Sequence, residues 1–170
     1  MTIQIEDISY VHFAAPDLKV MADFLGDFGI ATSLYKGRFY GTGSVGGTFI
    51  HVTELADPAF FALGLRATSI ADLEALASRE KVSIQPIDAP GGGAMISLID
   101  SDGRRVEVVA GQTMIGSDGS VDAPKAALNS SLSYERIGRA PVVSAAPEQV
   151  VRLGHCVLDV GDFRACEAWY

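Results

Sequence analysis

The sequence is short of the features that would direct it to a membrane, a nucleic acid or an oxidising compartment. It has 2 cysteines in 170 residues. Both, Cys156 and Cys166, fall in the closing stretch VVRLGHCVLDVGDFRACEAWY, which is no disulfide framework. Basic residues are in deficit: 13 Lys and Arg against 21 Asp and Glu give a formal net charge of −8. With no basic run to offset that charge, nucleic acid and anionic membrane are excluded as expected partners. No apolar run reaches bilayer-spanning length, because FFALGLRA is short and broken by Arg66. The opening MTIQIEDISY lacks the basic segment and apolar core of a secretory leader. Neither a Ser-His-Asp set nor paired cysteines at zinc spacing occurs. The expectation is a soluble, acidic, cytoplasmic protein.

What the chain does have is a core and a repeat. Hydrophobic residues make up 48% and charged residues 20%, enough to fold one domain, or two small ones. ISYVHFAAP reads as a strand ended by Pro16. Asp17 is placed to cap a helix over LKVMADFLGDFG, with Leu18, Met21, Phe24 and Leu25 at helical spacing and Gly29 as its stop. Three strand-like runs follow: ATSLYKG, RFYGTG and GTFIHVTEL. The order then recurs. FFALGLRATS reads as a strand, and IADLEALASREK as a helix with Ile70, Leu73 and Leu76 on one face. VSIQPID, GAMISLID and RRVEVVAG read as strands between Gly-rich and Asp-Gly turns. PGGGAM is read as a turn, since it lacks the Lys-Ser/Thr of a phosphate loop and leads into a strand. Each half is β-α-β-β-β over about fifty residues, and two such halves can pack around a concave cleft.

Residues 111–150 change character. They are rich in Ser, Ala, Pro and Gly and suit a connection between domains. After them RLGHCVLDVGDF repeats the start of the first unit a third time.

The βαβββ tandem, with DSDGRRVEVV as its last strand and RLGHCVLDVGDFRACEAWY opening another, resembles the vicinal oxygen chelate superfamily. That group includes glyoxalase I, bleomycin-resistance proteins, methylmalonyl-CoA epimerases and type I extradiol ring-cleavage dioxygenases. The two-module order is most similar to the last of these, as is the linker LNSSLSYERIGRA. The resemblance implies an α+β fold with one glyoxalase-like module over residues 6–110 and a linker over 111–150. Residues 151–170 would be the first strand and helix start of a second module, making this the N-terminal part of a longer protein.

In that superfamily, first and last strands of each half supply the metal ligands. Lining up SYVHFAAPDL with the general pattern places Tyr10 at the first such position. GTFIHVTEL against GRRVEVVAG places His51 and Glu107 at the last-strand positions, and FALGLRATSIADL places Ala62 at the fourth. An extradiol site takes two imidazoles and one carboxylate. Tyr10, His51, Ala62 and Glu107 do not make that set, so the first module is expected to hold no metal. Aligning LGHCVLDVGDF with ISYVHFAAPDL puts His155 at the first ligand position of the second module. The resemblance then implies Fe(II), or Mn(II), in the longer protein, with a catecholic diol and O₂ as its substrates and a homo-oligomer as a possible assembly. The catalytic acid-base residues would lie outside this chain.

Plainer readings stand beside these. A lone strand histidine such as His155 is ordinarily packed or solvated, and His51 in an apolar strand reads first as a hydrogen-bonded cleft residue. His12 shares the face of Tyr10 and reads as cleft-lining. Glu107 can pair with Arg104 or Arg105. Cys156 neighbours His155, but adjacent strand residues point apart, against a nucleophile pair. An alternative function is a metal-free small-molecule binder of the bleomycin-resistance type. A third is a glyoxalase- or epimerase-like metalloenzyme, which the Tyr10 and Ala62 positions disfavour.

Overall fold

The structure, a computed structural model, describes residues 4–43, 46–116, 150 and 152–170. β1 (Ile5–Ala15) opens the first unit. Asp17 caps α1 (Leu18–Asp27): its carboxylate accepts from the N–H of Lys19 at 2.8 Å and of Val20 at 3.1 Å. Gly29 ends the helix at φ +76°, the left-handed region that glycine enters without a Cβ clash. The unit continues through β2 (Ala31–Tyr35), β3 (Arg38–Thr42), a two-residue β4 (Gly46–Gly47) and β5 (Phe49–Leu55). The second unit repeats the order with β6 (Ala59–Ala67), α2 (Ile70–Glu80), β7 (Gln85–Pro86), β8 (Ala94–Ile99) and β9 (Arg105–Ala110). Beyond it, β10 (Ile115–Gly116) pairs with β4 in a small separate ribbon, and α3 is Phe163–Trp169.

One mixed sheet holds both units in the order β2-β3-β5-β1-β6-β9-β8-β7. The order is palindromic in unit position, so the halves are related by a pseudo-twofold. β1 and β6 run antiparallel at its centre, with Tyr10 opposite Gly64, Val11 opposite Leu63 and His12 opposite Ala62. Each also pairs in parallel with the last strand of its own unit, β1 with β5 and β6 with β9.

The two faces of the sheet are packed differently. On the convex face, Leu73, Leu76 and Ala77 of α2 meet Ile96, Val106, Val108 and Ala110 in one cluster. Leu73 is wholly buried, and such a side chain stabilises the fold by about 1.5–3 kcal/mol. On the concave face, Tyr10, Tyr40, Phe49, Val52 and Val109 form a second cluster, rich in rings.

Two expectations are refined. Phe24 is 53% exposed and packs at a tilt against Phe28, ring centroids 4.9 Å apart, because α1 turns only Leu25, with the half-buried Leu18 and Met21, toward the sheet. Residues 152–160 form no strand ladder among the described residues, although α3 follows them as expected. Both edges of β1 and of β6 are already paired, so the central sheet offers this third run no partner there. The linker reading of 111–150 lies almost entirely outside the described residues.

The 159–170 segment docks on the β8–β9 turn. Arg104 donates to the carbonyl of Asp159, and the Gly161 N–H donates to Asp102 at 2.8 Å. Tyr170 Oη donates to Asp100 at 3.1 Å, and the Cys166 thiol lies 2.9 Å from the Ser101 hydroxyl. Trp169 packs against the convex cluster. A seven-residue helix is too short to persist in isolation, so these contacts are what hold α3.

Candidate functional site

The concave cleft is built from alternate residues of the central strands. Tyr10 of β1 and Glu107 of β9 meet in it: the phenol donates to Glu107 Oε2 at 2.5 Å. Tyr10 is 4% exposed and Glu107 7%. Burial pushes the phenol far above its ordinary pKa, and the carboxylate charge and hydrogen bond add to the shift. The other carboxylate oxygen lies 3.8 Å from the Arg105 guanidinium. The Tyr10 ring is seated over Gly64, where an added Cβ would stand 2.6 Å from the ring.

A second polar centre lies along the same face. His12 Nε2 is 3.5 Å from Glu54 Oε2, and Glu54 accepts from Arg38 Nε at 2.7 Å. Burial lowers the His12 pKa, against the raising effect of Glu107 and Glu54. Sequence reading placed His12 beside Tyr10 but passed over Glu54 and Arg38. The alternation from Val52 to Glu54 was the available signal.

His51 stands on the other face. It is paired with Val11 of β1, whereas the neighbouring Val52 is paired with the cleft residue His12. Its ring hydrogen-bonds the wholly buried Thr53 hydroxyl at 2.6 Å and stacks on Phe13 at 5.8 Å. Burial drops its pKa to about 4, with His12 contributing. The cause is a β-bulge. Gly41 and Thr42 of β3 face His51 and Phe49, leaving Ile50 as an extra residue. Phe49 and Val52 consequently share the cleft face, and Val52 is the counterpart of Glu107.

Around these groups lies a cavity of about 150 Å³, lined by Tyr10, His12, Tyr40, Phe49, Val52 and Met95 among others. Its side is closed by the 87–89 segment, which Lys36 joins through Asp88 at 2.7 Å. The donor set here does not fit a divalent metal ion. Glu107 is engaged by Tyr10 and Arg105, and Ala62 and Val52 carry no ligand atom. His155 is exposed, and no three His, Cys, Asp or Glu side chains assemble as a metal-binding group among the described residues.

The fold is shared with solved structures of a glyoxalase and of 2,3-dioxygenases. A Mn(II)-bound glyoxalase from Novosphingobium aromaticivorans superposes with a TM-score of 0.62 at 18% identity, covering 71% of this chain and 44% of that one. A variant of homoprotocatechuate 2,3-dioxygenase from Brevibacterium fuscum gives 0.58 at 15% identity, covering 66% and 34%. The 2,3-dioxygenase LapB from a Pseudomonas species gives 0.60 at 16% identity, covering 69% and 45%. The chain thus matches less than half the length of each. No family model matches the sequence, and neither does any curated protein. No helix among the described residues is long and apolar enough to cross a membrane.

Proposed function

We propose that this chain carries the N-terminal, non-metal module of an extradiol ring-cleavage dioxygenase-like protein acting on a catecholic substrate with O₂. Residues 6–110 form the scaffold module, 111–150 the linker, and 151–170 the start of the catalytic module. In this reading His155 is the first ligand of Fe(II), or Mn(II), and the remaining ligands lie in that second module. The protein works in the cytoplasm, where the scaffold module also serves in homo-oligomer assembly.

The observation that supports the reading is the Tyr10–Glu107 hydrogen bond. It satisfies the one carboxylate at the first module's ligand positions with a phenol, while the third repeat carries a histidine at the corresponding first position. The dioxygenases that share the fold are longer than this chain, which agrees with a second module. Metal chemistry of the glyoxalase or epimerase type within this cleft lacks support, because Ala62 and Val52 offer no ligand atom.

The test is the full-length protein encoded around this chain, loaded with Fe(II) and assayed for catechol-dependent O₂ uptake. His155→Ala should abolish uptake and metal retention, and Glu107→Gln should leave both within about twofold. Uptake that survives His155→Ala but fails in Glu107→Gln would overturn the assignment. So would a coding sequence with no second module.

A further inference from the structure

The sheet has two edges, and its pseudo-twofold makes them counterparts, yet they are built differently. At one end β7 is two residues long and contains Pro86. A strand so short, with a proline, is a protected edge that offers almost no ladder for another chain to join. At the other end β2 runs for five residues, Ala31–Tyr35, with no proline and no charged side chain. Lys36, the next residue, is committed to Asp88 at 2.7 Å.

The hairpin fixes which backbone groups the β2 edge presents. Tyr35 and Arg38 flank the turn Lys36-Gly37, whose φ values of +47° and +81° belong to a type I′ hairpin. The flanking pair of such a turn is hydrogen-bonded, and bonding alternates from there along an antiparallel ladder. Tyr35, Ser33 and Ala31 therefore bond to β3, opposite Arg38, Tyr40 and Thr42. Thr32 and Leu34 turn their N–H and C=O groups outward, and no backbone group among the described residues bonds them there.

This arrangement reads the same from either side of Ser33. A twofold axis through Ser33 sets Thr32 of one copy against Leu34 of the other, and the outward groups meet as hydrogen-bonded pairs. A second copy thus supplies the matching register by symmetry. The apolar surface agrees with it. Leu34 is 63% exposed, and the pairing carries it toward the other copy's junction of α1 with β2, where Phe24 and Phe28 are 53% and 51% exposed. Covering such surface adds to what the backbone bonds contribute.

We propose that the β2 edge is a self-association surface, on which a second copy of this chain adds its own β2 antiparallel and makes one sheet continuous across two molecules. This pairing deepens the homo-oligomer part of the dioxygenase reading and rests on that reading only for the existence of an assembly.

The experiment sediments the 170-residue protein from about 1 to about 200 µM, where a homodimer shows as a concentration-dependent mass, and reads single-amide hydrogen exchange by NMR. A dimer is expected, with exchange of the Thr32 and Leu34 N–H groups slowed at least tenfold at the high concentration. Leu34→Lys, at an already exposed side chain, should weaken association at least tenfold. Leu34→Pro, which removes an outward N–H and leaves the bonds to β3, should do the same. Ile99→Lys, at a similarly exposed residue of β8 (59%), should leave association unchanged. A monomer throughout the range would overturn the proposal, and slow Thr32 and Leu34 exchange in that monomer would assign the edge to residues of the same chain. A dimer that survives both Leu34 variants would also overturn it, placing the contact on another face while the homo-oligomer reading stands. Ring cleavage is not read at any point, so the dioxygenase assignment fails separately.

Discussion

Tyr10 and Glu107, 97 residues apart in sequence, are joined by a 2.5 Å hydrogen bond across the strands of two different repeats. The phenol and the carboxylate are each more than nine-tenths buried. The bond therefore ties the first strand of one unit to the last strand of the other through the middle of the cleft.

Tyr10→Phe removes the donor and keeps the ring. It should destabilise the protein by about 1.5–3 kcal/mol, the range for a buried hydrogen bond to a charged group, measured by urea unfolding at pH 7. An unchanged midpoint would show that the pair contributes nothing to stability. The raised phenol pKa adds a pH signature. Above about pH 10 the unfolded phenol ionises while the folded one holds its proton, so stability should fall as pH rises through that range.

Gly64→Ala places a Cβ 2.6 Å from the Tyr10 ring. The ring must shift, and the Glu107 bond shifts with it, at a cost of about 1–3 kcal/mol for overpacking. In a Tyr10→Ala background the same change should cost far less, because the obstructing ring is gone. Additive effects of the two substitutions would contradict the contact.

The buried imidazole of His51 predicts acid sensitivity. An ordinary imidazole titrates near 6.5 and this one at about 4. Between those values the unfolded chain takes up the proton and the folded one does not. Stability should therefore drop as pH falls from 6.5 to 4, by up to about 3 kcal/mol, and level off for this group below that. His12, lowered in the same direction, adds to the slope. His51→Gln should flatten the profile over this window; an unchanged slope would place the titration elsewhere.

Arg104 bridges Asp100, Asp102 and the Asp159 carbonyl. Arg104→Ala should free the 159–170 segment and expose Cys166, which is buried, while Cys156 is already exposed. Alkylation of Cys166 should accelerate at least tenfold and that of Cys156 should stay constant. Equal protection of Cys166 in the variant would show that the apolar contacts of Trp169 suffice.

Much of this architecture is legible in residue order. Asp17 before an apolar 3.6-residue period, glycines after it, and short β-rich runs between turns specify both βαβββ units and their succession. Tyr10 and Glu107, placed by lining the repeats up with the family pattern, and His12, placed by alternation from Tyr10, line one cleft. His51 does not. GTFIHVTEL and GRRVEVVAG align without a gap on their glycines, yet only the first accommodates an extra residue, Ile50. A shift of one residue reverses which face every later side chain takes. Nothing in FIHVTEL reveals the bulge, because both of its faces are buried and carry apolar residues. Glu54 and Arg38 were obscured for a related reason: their partnership depends on β3–β5 register, which is a property of the ladder.

The antiparallel seam between β1 and β6 has a consequence for chain integrity. The units meet along their two longest strands, while the connection between them, residues 56–58, is short and exposed. Cleavage there would sever the backbone and leave every seam hydrogen bond in place. The two fragments should thus copurify as a complementing pair, each supplying the template on which the other folds.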